Sequence, residues 1–316
     1  MQLHPDLAAV LAPFQAAPPM DFEGTPMPEI RRQLDHLAFA PADFAMQEVR
    51  ECQIPGGAGQ ALKLRLYRPG AAVAAPVMLY FHGGGWCIGT LDTHDNLCRH
   101  LAHLTGMNVV SVDYRLAPEH IFPAALDDAY AATRWVAQHA AELQCDVQQL
   151  MVAGDSAGGN LAIATCLRAR EDGWNGIRQQ LLLYPVCDAQ MNMPSYASYG
   201  HLPLLTTQAM AAMWRCYHPE QPVHPLASVM HYPDVSGLPA TVLVSAELDI
   251  LRDEGEAFAK RLQDAGVPVH LLRAPAMPHG FANFSTVAPV VACLLQKACT
   301  VLAAQMPART MAGVQA

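Results

Sequence analysis

The chain has 316 residues, 52% hydrophobic and 15% charged, enough apolar material for one large α/β domain or two small ones. A net charge of −9 with no basic run argues against a nucleic-acid partner. The longest apolar run, AAVAAPVMLYF, reaches only about half of a membrane span, so no stable membrane insertion is expected.

The first 45 residues are rich in Pro, Met and Phe, with a short amphipathic piece around PEIRRQLDHLAF. They carry no positively charged leader, and the nine cysteines are odd in number and lack any CxxC, so they read as reduced thiols in a cytoplasmic protein. QEVRECQI and ALKLRLY follow, close together around a GGAG turn, which predicts an antiparallel hairpin. PVMLYF, NVVSVDY, QLMVAG, QQLLLYP, ATVLVSA and VPVHLLR come next as continuous apolar runs, the pattern of parallel strands buried on both faces. Helical stretches separate them: THDNLCRHLAHLTG, FPAALDDAYAATRWVAQHAAEL, AGGNLAIATCLRARE, RDEGEAFAKRLQDAG and PVVACLLQKAC. The fourth stops at Gly266, with Pro268 beyond it. From Val186 to Pro239 the connection is too long for a simple loop and has helical character around TQAMAAMWRCYH, as a lid would. An α/β fold follows: a mostly parallel, eight-stranded sheet flanked by helices, with extra material over one end.

In such sheets the working groups gather at the carboxyl ends of the strands. After QLMVAG comes GDSAGGN, a G-x-S-x-G with Ser156 at the apex of a strand-to-helix turn, the nucleophile elbow of α/β hydrolases. The glycines admit a tight turn, and the Ala157 amide, at the helix start, lacks an intrahelical acceptor. A serine hydroxyl needs a base. Of fourteen histidines, His279 in APAMPHGF stands on a loop directly after the last strand. The orienting acid is expected at another strand end, and Asp249, just past ATVLVSA, fits. Asp253 lies a turn into the next helix and suits a dipole role, while Glu247 falls on the wrong face by alternation. Ser156, Asp249 and His279 occur in the chain order this fold uses.

FHGGGW leaves the third strand at the same sheet edge. Two of the amides of Gly83, Gly84 and Gly85, with that of Ala157, are expected to form an oxyanion hole; which two stays open at this point. A dinucleotide loop is excluded, since G-x-G-x-x-G would need a glycine at Ile88. The ring of His82 is expected to bond backbone and shape this loop.

HGGGW, GDSAGGN, VDYRLAPEHIFPAALDDAYAA, LLLYPVCD, HPLAS, AELDILRDEG and HGF together resemble the bacterial hormone-sensitive lipase family (family IV) of carboxylesterases, from about Val77 to Phe281. The resemblance implies Ser156 as nucleophile, His279 as general base and acid, Asp249 as its partner, and the loop glycines with Ala157 as the oxyanion hole. It implies a cap built from residues 1–45 and an insertion around 189–218, on a catalytic domain spanning 46–316. Two positions depart from the family: Ala276 replaces a usual glycine, and Val229 and Met230 follow HPLAS where a proline is common.

The expected activity is hydrolysis of short- to medium-chain carboxylic esters through an acyl-enzyme, with a small-molecule ester as partner and no metal or organic cofactor. An amidase or formamidase on the same fold is the first alternative, a non-catalytic ligand-binding homologue the second. The assembly state stays open, a homodimer included. His94, Cys98, His100 and His103 have some helical spacing but share no single face, so a mixed helix surface is favoured over zinc. Arg115, Glu119 and Asp127 are expected to brace one loop as a network, and Met210, Met213 and Trp214 to pack in the insertion.

Overall fold

The computed structural model describes residues 2–16, 20–35, 44–70, 72, 74–202 and 204–305. All eight expected strands form: β1 (Glu48–Pro55), β2 (Ala61–Arg68), β3 (Ala75–Phe81), β4 (Asn108–Val112), β5 (Cys145–Asp155), β6 (Gln179–Leu183), β7 (Ala240–Leu248) and β8 (Val269–Pro278). They make one sheet in the order β1-β2-β4-β3-β5-β6-β7-β8. β2 runs antiparallel to both β1 and β4, and every other pairing is parallel.

The apolar runs follow from the two layers of helix that cover this sheet. On β3, Val77, Leu79 and Phe81 enter one buried cluster while Met78 and Tyr80 enter the other. β5 divides the same way, Leu150 and Val152 against Met151 and Ala153. With both faces dry, alternation of polar and apolar residues has no reason to appear. One layer holds α4 (Ala124–Gln138), α5 (Ala157–Glu171) and α8 (Arg252–Asp264), and the other α3 (Asp95–Thr105) and α9 (Pro289–Ala304). Each fully buried Leu or Val of these clusters contributes about 1.5–3 kcal/mol of apolar burial.

Further material lies over the carboxyl ends of the strands. In the insertion, α6 (Pro194–Tyr199) starts with a proline in its first turn. α7 (Thr207–Tyr217) is capped by the Thr206 side chain, which accepts from the Ala209 amide. The N-terminal segment divides. α1 (Pro5–Ala16) buries Leu7 and Leu11 in the cluster shared with α9, and the His4 amide donates to the Ala276 carbonyl at 3.1 Å. α2 (Met27–Asp35) instead buries Met27 and Ile30 in the cluster that contains α7. Its Arg31 donates to the carbonyl of Cys87 at 2.5 Å and pairs with Glu119 at 2.6 Å, tying α2 to the glycine loop and its neighbour. The part of the expected N-terminal cap at 36–43 lies outside the described residues.

The single charge network expected around Arg115 is in fact three separate pairs: Arg115–Asp128, Arg31–Glu119 and Arg168–Asp127. Neighbouring residues on a helix point about 100° apart, so Asp128 contacts Arg115 while Asp127 contacts Arg168, with Arg115 acting on Asp127 only at longer range.

Candidate active site

Ser156 sits between β5 and α5 with φ 54° and ψ −119°, a left-handed conformation rarely taken by residues other than glycine. Hydrogen bonds over-determine it: its amide donates to the Leu183 carbonyl at 2.9 Å, and its own carbonyl accepts from Asn160 and Val186. The glycine at 158 is compulsory for steric reasons. A Cβ there would lie 1.9 Å from the Phe81 carbonyl oxygen, because α5 begins against the end of β3.

His279 follows the last residue of β8, and its Nε2 lies 2.9 Å from Ser156 Oγ. Its Nδ1 faces Asp249 Oδ2 at 2.7 Å. Asp249 comes directly after β7, is 1% exposed, and has its other oxygen fixed by the Leu251 amide at 2.9 Å. The three expected residues are thus joined by two hydrogen bonds. A carboxylate on Nδ1 places the Nδ1 proton between them and leaves Nε2 as acceptor for the serine hydroxyl. The rejected acids have other partners. Asp253 accepts from the Ser195 amide at 2.9 Å and pairs with Arg252, anchoring α6. Glu247 accepts from the Ala276 amide at 2.7 Å.

The glycine loop faces this serine. The amide of Gly83 donates to Asp155 Oδ1 at 2.8 Å, so Gly83 drops out of the expected oxyanion donors: its proton is already engaged on a buried carboxylate. The amides of Gly84 and Gly85 meet no acceptor among the described residues, and Ala157 opens α5 with its amide outside the helical ladder. The loop's shape requires glycine: Gly84 has φ 112°, and a Cβ there would meet the Ile88 carbonyl oxygen at 2.3 Å. His82 does shape it. Its ring is fully buried, bonds the Gly83 carbonyl at 2.8 Å and stacks on Tyr114 at 4.2 Å. Burial, with His94 nearby, lowers its pKa to about 3, so it is neutral and unsuited to carry a catalytic proton near pH 7.

Asp155 is the member of the site that sequence reasoning missed. It is 2% exposed, and besides Gly83 it accepts from Tyr80 Oη at 2.6 Å. Burial alone would raise its pKa, but the neighbouring imidazole of His94, the Tyr80 hydroxyl and His82 outweigh burial and hold the carboxyl below its usual range. The available signal was an acid closing the apolar run QLMVAGD, where a solvent-facing charge has no place.

The cleft above Ser156 has a volume of about 240 Å³. Ser156, His279 and the three glycines form its floor, while Leu34 of α2 and Leu205, Met210 and Met213 of the insertion form its roof. Trp86, beside the glycine loop, stacks on Tyr217 of α7 with centroids 4.0 Å apart. No group of three His, Cys, Asp or Glu among the described residues is placed to hold a metal ion. His100 and His103 stack on Phe44, and His94 turns inward to Asp155. No described helix is long and apolar enough to cross a membrane.

A serine activated by a strand-end imidazole, beneath peptide amides without acceptors, defines a hydrolase of the nucleophile-elbow class. Between residues 78 and 283 the chain matches the alpha/beta hydrolase fold family, and it belongs to that family, in the branch of hormone-sensitive-lipase-like carboxylesterases. Carboxylesterase NlhH of Mycobacterium tuberculosis is 38% identical over 297 residues, 91% of this chain and 92% of the relative. An ethyl acetate hydrolase of Pseudomonas putida is 36% identical over 300 residues, 91% and 94% of the two chains. Among solved structures, a thermostable esterase from Pseudomonas putida ECU1011 superposes with a TM-score of 0.91 at 35% identity, covering 97% of this chain and 98% of that one.

Proposed function

We propose that the protein is a serine carboxylesterase that hydrolyses short- to medium-chain carboxylic esters through an acyl-enzyme. The observation that carries this reading is the hydrogen-bonded relay from Asp249 through His279 to Ser156 Oγ, with spans of 2.7 and 2.9 Å. Ser156 Oγ attacks the ester carbonyl while His279 Nε2 takes its proton, and Asp249 stabilises the imidazolium that results. The carbonyl oxygen, now anionic, receives the amides of Gly84, Gly85 and Ala157. His279 returns the proton to the leaving alcohol. A water, deprotonated by the same nitrogen, then attacks the acyl-serine and releases the acid.

Small substrates are favoured by the cleft: about 240 Å³ is below the roughly 300–1,000 Å³ usual for drug-sized ligands. Its apolar roof suits an acyl chain rather than a charged group. A cytoplasmic setting agrees with nine unpaired cysteines.

The test is Ser156→Ala, assayed on a series of activated esters of increasing acyl length and on one isosteric amide. Turnover of the esters should fall by about 10⁴-fold or more with an unchanged melting temperature. A phosphonate probe should label the native protein at one equivalent and spare the variant. Activity near wild type in Ser156→Ala would refute the assignment, and faster cleavage of the amide than of its ester would change the substrate class.

A further inference from the structure

Asp155 poses an electrostatic problem for the chemistry proposed above. It carries its charge one residue from Ser156, and its carboxylate holds the amide of Gly83, next to the two amides available to an oxyanion. A buried carboxylate there repels the negative charge that the substrate oxygen acquires. Low dielectric makes that repulsion stronger than it would be in water. The donors already on Asp155, the Gly83 amide and the Tyr80 hydroxyl, fix its geometry without cancelling its charge.

Of the two imidazoles near it, His82 is neutral and bonds the Gly83 carbonyl, which leaves His94. His94 precedes α3, is 6% exposed, and places Nε2 at 3.4 Å from Asp155 Oδ1. That nitrogen has no other partner among the described residues, while Nδ1 is held by Thr93 Oγ1 at 2.9 Å. Thr93 Oγ1 is itself fixed in the turn that begins at Thr90: it accepts from the Thr90 amide, and its one proton lies within reach of both the Thr90 carbonyl and His94 Nδ1. When Thr93 donates to Nδ1, the neutral ring carries its proton on Nε2, the tautomer this role requires. A buried imidazole nitrogen aimed at a buried carboxylate, slightly beyond hydrogen-bond distance, acts on its charge more than on its position.

We propose that His94 is a positioning residue for the oxyanion hole, acting through Asp155. Its Nε2–H offsets the carboxylate, which lets Asp155 clamp the glycine loop without opposing the charge that develops above it. This inference rests on the esterase reading, and it assigns a role to a residue that never touches the reacting atoms.

The two-residue cycle of His94→Phe and Asp155→Asn tests it. Phenylalanine keeps a ring in place but removes the donor, and asparagine keeps an acceptor for Gly83 and Tyr80 but removes the charge. His94→Phe should lower kcat by about 10- to 100-fold while KM stays within about twofold. Affinity for a trifluoromethyl ketone, whose adduct on serine is an oxyanion, should fall by the same factor. The decisive arm is the double variant, which should turn over faster than His94→Phe alone, because no charge is left to offset. A purely structural histidine would instead give losses that multiply. If His94→Phe does not fold, the comparison is made within the Asp155→Asn background, where adding His94→Phe should leave kcat within about threefold. A further tenfold loss there, or a kcat for His94→Phe equal to wild type, overturns the proposal. Failure of the native protein to react with a phosphonate would instead remove the esterase reading, and this role with it.

Discussion

Two glycines of the site face walls of different kinds. At Gly158 an added Cβ would strike the Phe81 carbonyl oxygen at 1.9 Å, and at Gly85 it would strike the Met213 side chain at 2.0 Å. The first wall is main chain at a strand end, and the second is the tip of a thioether on α7. The floor of the site is therefore set by backbone against backbone and leaves no room for variation. The roof is set by Leu34, Leu205, Met210 and Met213, flexible or replaceable side chains on two short helices and the loop that leads into one of them. On the proposed reading, the type of reaction depends on the floor, and the range of acyl groups on the roof.

The sharpest test of the floor is Asp249→Asn, which should lower kcat by about 10⁴-fold by favouring the wrong imidazole tautomer. Asp253→Asn, which loosens only the anchor of α6, should stay within about tenfold of wild type. Equal losses in the two would erase the distinction between floor and roof. Gly158→Ala comes next. Because the obstructing atom belongs to β3, we expect destabilisation of about 3 kcal/mol or more, read as a lowered denaturant midpoint or as failure to accumulate folded protein. A soluble, fully active Gly158→Ala would show that the floor can shift.

Met213→Ala addresses the roof. It removes the side chain that lies over Gly85 and lines the cleft, so kcat/KM should move toward longer acyl chains by about 3- to 10-fold relative to acetate. An unaltered chain-length profile, measured on the same ester series, would mean that the roof does not select.

The division also explains what could be read before folding. Strands buried on both faces announce themselves as unbroken apolar runs, and Ser156 and Asp249 stand directly beyond two of them; His279 follows β8, an edge strand, which the expectation of burial on both faces did not fit, since His270, Leu271 and Arg273 are exposed. Their assignment needed only chain order and the rule that sites gather at strand ends. Details made by contacts between distant segments left no local trace. Nothing in FHGGGW says that the Gly83 N–H will be engaged by Asp155, 72 residues away, or that Met213 will close over Gly85. The substitution at Ala276 was legible as a departure but not in its consequence. The chain there keeps the left-handed turn of a glycine, φ 56°, held by the Glu247 carboxylate on its amide and by the His4 amide on its carbonyl. At the other departure, Met230 supplies what a proline lacks, an amide that donates to the Cys187 carbonyl at 2.9 Å.

Floor and roof meet at Glu254. It belongs to α8, is fully buried, and accepts from the amides of Cys187 and Asp188, where the insertion begins, and from Tyr196 Oη on α6. Burial is the largest influence on this carboxyl and raises its pKa from 4.5 to about 8, against the pull of its three donors. A folded-state value above the unfolded one means that the folded state binds the proton more tightly. The stability this provides is complete below about pH 4.5 and is lost as pH rises toward 8. Glu254→Gln keeps an oxygen for the two amides, turns an N–H toward the Tyr196 oxygen, and removes the titration. The melting temperature of the native protein should therefore fall between pH 5 and 8 relative to that of Glu254→Gln, by roughly 2–4 °C for each kcal/mol of difference. Parallel curves would mean that the donors hold the carboxylate ionised throughout, and that the joint between floor and roof is an ion held by dipoles rather than a neutral acid.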